Sequence, residues 1–197
     1  MSFDEEKFRL EIINKLKKGL SPELHYHHIA HTLDIFESAV RLAGWEGIED
    51  RQLILVKVAA LLHDVGFINA YKGHEEAGCA EARRCLPSEG FTEDEIELVC
   101  GMIMATQLPQ SPKTQLEMIL CDADLDYLGR DDYDEIAPRL YKEILARDAS
   151  FTEDAWLDMQ INFLSSHTYF TESARERRQQ GKEEKLKELV LLKDKRS

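Results

Sequence analysis

The chain has 197 residues, 43% of them hydrophobic and 32% charged, which excludes a disordered or membrane protein and fits one soluble globular domain with its own core. A net charge of −13 argues against a nucleic-acid or anionic-membrane binder, and a phosphate-bearing substrate would need local cations, for which bound divalent metal is the natural source. No apolar run approaches the roughly 20 residues of a membrane span, and the opening Met-Ser-Phe-Asp-Glu-Glu-Lys lacks the basic-then-apolar order of a secretory signal, so a cytoplasmic location is expected.

Apolar positions Phe8, Ile12 and Leu16 predict an amphipathic helix over 4–18. Ser21-Pro22 reads as an N-cap with proline at the first helical position. After a His-rich stretch, Leu33, Ile35, Phe36, Val40 and Leu42 predict a helix ending near Gly44. Residues 50–64 are apolar enough for a central helix, with Gly66 fitting its termination. A further helix is expected over 73–86, stopped before Pro87. Thr92 with Glu95 forms a capping-box pattern that opens the next, Ile96 to Ala105. Beyond Pro109 and Pro112, helix is expected over 113–128, 132–146, 153–166 and 172–193. The last is dense in both signs of charge and reads as a solvated helix with intrahelical pairs. No alternating strand pattern or internal repeat occurs, so the expected fold is all-α, a single-domain helical bundle over 1–197. Cys79, Cys85, Cys100 and Cys121 form no CxxC pair and read as small apolar filler.

Three segments carry chemistry. His63-Asp64 follows Val58-Ala59-Ala60-Leu61-Leu62, which places an acid and an imidazole at the buried end of a core helix. A buried carboxylate is costly unless paired or bound to metal, so a metal site and a simple helix-capping His–Asp bond are both open here. Four of the seven histidines lie in His25-Tyr26-His27-His28-Ile29-Ala30-His31, and the spacing of His27 and His31 places both on one helix face. In Asp122-Ala123-Asp124-Leu125-Asp126, helical geometry puts Asp122 and Asp126 on one face and Asp124 roughly opposite, leaving either set as ligands. A calcium loop fails, because Tyr127 and Tyr133 hold the positions that need glycine and glutamate.

The order His31, His63-Asp64, Asp124 resembles the H…HD…D signature of the HD-domain superfamily of metal-dependent phosphohydrolases. Tyr26-His27-His28-Ile29-Ala30-His31-Thr32-Leu33-Asp34-Ile35 is similar to its YHNxxHxxDV segment, with His28 in place of asparagine. The resemblance covers about 20–145, an HD-type metal-binding core on which C-terminal helices of 146–197 would pack. It implies His31, His63, Asp64 and Asp124 as metal ligands and selects Asp124 within the acidic run. It also implies His27 as proton donor to the leaving oxygen or phosphate-orienting group, and His74 as an extra histidine for a second metal. Thr106-Gln107 departs from members with more histidines, where a further ligand would follow. The metal would be Mn, Mg, Fe, Ni or Zn, a choice spacing does not make.

The expected activity is a phosphomono- or phosphodiesterase acting on a nucleotide or other small phosphoester. A divalent ion would make hydroxide available near neutrality to attack phosphorus. Asp64 would orient that nucleophile, and His27 would supply the proton. Lys72, Arg130, Arg175 and Lys182 are cations of the right type for phosphate, and His167-Thr168-Tyr169-Phe170-Thr171 either borders the pocket or packs in the core, the latter favoured for Tyr169 and Phe170. The alternatives are a non-catalytic metal- or nucleotide-binding sensor of HD type and a di-iron oxygenase on the same fold. A homodimer is left open, and neither nucleic acid nor membrane is expected as a partner.

Overall fold

Local capping and apolar spacing start the first helix, α1 (Glu5–Gly19): the Asp4 carboxylate accepts from the Lys7 amide at 3.0 Å, and Phe8, Ile12 and Leu16 are buried. In the computed structural model, which describes residues 3–196, all regular structure is helical.

Ser21-Pro22 does not open a helix. Residues 21–28 form turns, with the Leu24 amide donating to the Ser21 carbonyl, and the amides of Tyr26 and His27 donate instead to Glu143, 2.9 and 3.1 Å away. A helix begun at Pro22 would direct those amides to its own carbonyls, so a distant acceptor overrides the local signal. Helix α2 (Ile29–Trp45) starts at His28, whose Nδ1 accepts from the amides of Ala30 and His31. An imidazole therefore does the capping that asparagine would do.

The central helix α3 (Asp50–Leu62) buries Leu55, Val56 and the whole run Val58–Leu62. It stops at Leu62, and a 3-10 turn covers Val65–Ile68. Gly66 is not its terminator. A Cβ there would overlap the His74 carbonyl, so Gly66 is what lets the next helix, α4 (His74–Cys85), pass against the turn. Helix α5 (Glu93–Ala105) opens on the expected Thr92–Glu95 capping box.

The helix expected over 113–128 is shorter. Helix α6 (Gln115–Asp124) ends at Asp124, and a 3-10 turn follows over Asp126–Gly129. Tertiary docking causes the break: Arg178 of the last helix reaches Asp126, and a Cβ on Gly129 would overlap the Arg178 carbonyl. Then come α7 (Tyr133–Arg147), α8 (Glu153–Ser166) and α9 (Glu172–Arg196).

Helices α1 to α6 bury one apolar core around α3, while Tyr26, Leu125, Tyr127, Leu128, Tyr133, Ala137 and Leu164 form a second that joins the 126–129 turn to α7 and α8. The four cysteines are free, and Cys79, Cys100 and Cys121 are buried. Among the described residues no helix is long and apolar enough to cross a membrane. Outward pairs such as Gln179–Glu183 and Gln180–Glu184 fit the solvated-helix reading of α9, but its inner side docks through Arg178, Lys182 and Lys185.

Lys182 is buried and donates to the His167 carbonyl. Neither ring nitrogen of His167 has a hydrogen-bond partner among the described residues. Burial, helped by Lys182, pushes that imidazole down to about 4. The folded state thus holds His167 neutral while the unfolded chain protonates it near 6.5. Stability from this site is complete above pH 6.5 and is lost as the pH falls from there through 4. The loss should approach about 3 kcal/mol at most, the shift being reduced by partial exposure. Urea denaturation between pH 7.5 and 4 should show it, and His167→Leu should flatten that part of the profile.

Candidate metal centre

Four polar side chains meet where α2, the end of α3 and the end of α6 converge. Nε2 of His31 lies 3.3 Å from Asp64 Oδ2 and 3.4 Å from Asp124 Oδ1. Nε2 of His63 lies 3.2 Å from the same Asp64 oxygen and 3.7 Å from the same Asp124 oxygen. His63 Nδ1–H donates to the Ala60 carbonyl at 2.8 Å, which assigns the lone pair to Nε2, the nitrogen facing the carboxylates. His31, His63 and Asp124 each offer one atom within 4.8 Å of the others, a group able to hold a metal ion.

The donor set fits a divalent cation. His31 Nε2, His63 Nε2 and Asp64 Oδ2 are buried without a hydrogen-bond partner among the described residues, which is costly unless something satisfies them. Bonds of about 2.1 Å would set neighbouring ligand atoms roughly 3.0–3.4 Å apart, close to the spacings found. Two imidazoles and two carboxylates without thiolate match Mn, Fe, Ni, Zn or Mg. The electrostatics agree. Burial lowers the His31 imidazole, but the adjacent Asp124 and Asp64 carboxylates outweigh it and hold the ring at about 10. Burial opposes ionisation of Asp64 too, yet His63 and His31 hold it well below the ordinary carboxylate range. The cluster demands positive charge.

Of the three aspartates, Asp124 is the one that reaches this cluster. Asp122 is buried and accepts from the Phe170 and Thr171 amides and the Thr171 hydroxyl at 2.7–2.8 Å, burial pushing it up to about 6 against those donors. Asp126 does not share a helix face with Asp122, because α6 has ended. It is buried against Ser38, with Arg178 Nε at 2.6 Å and Arg41 and Arg130 at 3.5 Å. Asp126→Ala is therefore expected to cost about 1–3 kcal/mol by removing the buried carboxylate that Ser38 and the partly exposed Arg178 bond, while leaving the metal content unchanged. Asp124→Ala should do the reverse, and urea denaturation beside elemental analysis separates the two.

His27 and His31 do not share a helix face either, since α2 begins at Ile29. Their rings nevertheless lie 5.8 Å apart. Glu143 of α7, fully buried, places His27 by accepting from its amide and from Nδ1–H at 2.6 Å. That leaves Nε2 as the ring nitrogen open to a ligand. Burial resists the Glu143 charge, but His27 and the two amides hold it below its ordinary range. Phe67 stacks between His27 (4.3 Å) and His74 (3.9 Å).

His74 opens α4. Its Nδ1–H donates to the Tyr71 carbonyl, and Nε2 lies 3.7 Å from Asp64 Oδ1 and 3.4 Å from buried Glu75. It faces the other oxygen of Asp64, away from the three-residue group. Sequence reading missed Glu143, Glu75 and Phe67. Glu143 had a signal: it interrupts the apolar stripe Ile136, Leu140, Ile144 on α7.

A cavity of about 640 Å³ opens onto the centre past His27, Asp64, His74 and Asp124, with Thr106 and Gln107 in its wall. Lys72 lines it. Arg130 instead pairs with Asp34 and Asp132, Arg175 donates to the Tyr169 and Phe170 carbonyls, and Lys182 caps His167. Tyr169 is a core residue, its hydroxyl donating to the Leu125 carbonyl.

A family model of the HD domain matches residues 28–126. The chain belongs to the HD domain family. The crystal structure of a predicted HD superfamily hydrolase from an uncultured Thermotogales bacterium is similar, with 24% identity, a TM-score of 0.61, and coverage of 95% of this chain and 92% of that one. It shows that the all-α HD fold is shared, including helices beyond the matched segment. No curated protein sequence matches the chain. HD domains typically bind a divalent metal, and the histidine and aspartate cluster above lies within the matched residues.

Proposed function

We propose that this HD domain is a metal-dependent phosphoric ester hydrolase acting on a small phosphoester. The observation that carries this reading is the convergence of His31 Nε2, His63 Nε2 and Asp64 Oδ2, buried and unpartnered, at the end of a cavity whose wall also presents His27. His31, His63, Asp64 and Asp124 would hold the ion. When bound, a divalent ion supplies acidified water and positive charge for phosphate oxygens. Asp64 orients the attacking water. His27 gives the proton to the leaving oxygen from Nε2 while Glu143 fixes its tautomer through Nδ1. Lys72 offers charge for the phosphate, and the apolar cavity wall limits bulk water. His74, with Asp64 Oδ1 and Glu75 beside it, would serve a second ion.

The test is elemental analysis of purified protein, then a panel of nucleotides and other phosphoesters with added Mn or Mg. Bound divalent ion and hydrolysis lost in Asp64→Ala are expected. Tight ligand binding without turnover of any ester would overturn the enzyme reading in favour of a sensor, and protein that retains no divalent ion would remove its basis.

A further inference from the structure

Away from the centre, the cavity changes character. Its far walls come from the 126–129 turn, α7 and α8 and include Leu128, Leu140, Ile144, Trp156, Phe163 and Leu164. The hydrogen-bonding side chains there are few and include Gln160, which already accepts from the Tyr133 hydroxyl at 2.9 Å, Tyr133 itself and the Trp156 indole. At the rim, Leu108 and Met159 line the cavity yet are 60% and 41% exposed. Apolar side chains thus line the cavity from α7 and α8 out to its rim, while Tyr71, Thr106 and Gln107 add polar groups to the rest of its lining. Among the described residues lining the cavity, Lys72 is the one lysine or arginine, in a chain of net charge −13.

These features select against a polyphosphate, whose several charges would need several cations, and against a sugar–base body, whose polar groups would outnumber the partners that the far walls offer. We propose that the substrate is the phosphomonoester of a bulky apolar alcohol, its single phosphate at the His/Asp cluster and its apolar body in the chamber between α7 and α8. This rests on the phosphohydrolase reading for the bond broken, and of the nucleotide or other small phosphoester expected from sequence it takes the second. Water adds its oxygen to phosphorus, the ester P–O bond breaks, and one proton passes through His27 to the alkoxide. The products are the apolar alcohol and inorganic phosphate.

Calorimetric titration of the metal-loaded protein with butyl, hexyl and octyl phosphate, alongside phosphate-release assays, tests this. Affinity should rise about fourfold per methylene, at least about 100-fold from butyl to octyl, and octyl phosphate should bind more tightly than adenosine triphosphate. Met159→Glu should flatten the series. An affinity independent of chain length, or tighter binding of the triphosphate, overturns the inference even if esters are hydrolysed. A rising series with no phosphate release from any ester supports the chamber's preference while refuting the hydrolase reading.

Discussion

Asp64→Ala is expected to retain the helical fold, to lose its divalent ion, and to lower phosphoesterase kcat/KM by about 1,000-fold, equivalent to ~4 kcal/mol of transition-state stabilisation. Asp64 is the residue on which the cluster turns: Oδ2 lies 3.3 and 3.2 Å from the two imidazoles and Oδ1 lies 3.7 Å from His74. Without it, two histidines and one carboxylate remain, and the oxygen that would orient water is gone. A thermal melt adds a readout independent of turnover. An ion present at 100 times its Kd stabilises the native state by about 2.7 kcal/mol, which for a chain of this size raises Tm by about 5–10 °C. Wild type should show that shift on metal addition and Asp64→Ala should not. A full shift in the variant would remove Asp64 from the ligand set.

Glu143→Gln is expected to lower kcat by about 100-fold with metal content unchanged. The carboxylate contacts His27 Nδ1 at 2.6 Å and the amides of Tyr26 and His27. A glutamine still accepts from the backbone, so the loop keeps its course, but its NH2 group no longer accepts from His27 Nδ1–H. The dependence on leaving group separates positioning from general damage. Aryl phosphates that expel a stable phenolate need little proton donation and should lose little rate, whereas alkyl phosphates should lose most of it. An equal loss on both would mean that Glu143 acts only on folding. His27→Ala should reproduce the pattern with a larger loss, within the roughly 10²–10⁴-fold range of general acids.

How much of this was legible follows physical lines. Helices with their own caps and apolar stripes, such as α1 and α5, form where local spacing puts them. The errors fall where a distant residue redirects the chain: Glu143 draws off the amides of Tyr26 and His27, and Arg178 stops α6 at Asp124. Those errors mattered for the site. One helix face for His27 and His31, and another for Asp122 and Asp126, were sound deductions from a helix that the fold does not continue. The burial of His63-Asp64 was legible because its preceding apolar run has no polar face. Glu75 and Phe67 were not, since a glutamate in an acidic helix start and a phenylalanine after a glycine look ordinary until the chain folds over them.

The clamp of Arg178 on Asp126 also sets an order of events in synthesis. Arg178 follows Asp126 by 52 positions, so at common translation speeds it leaves the ribosome roughly 3–10 s later. During that interval all four donors have been made, but the partner that ends α6 beside Asp124 has not. The 126–129 turn therefore gains this partner only after α9 has been made. A nascent chain stopped before α9 should accordingly be less stable than the full chain, its buried Asp126 carboxylate lacking Arg178, even though it contains the whole segment by which the family is recognised.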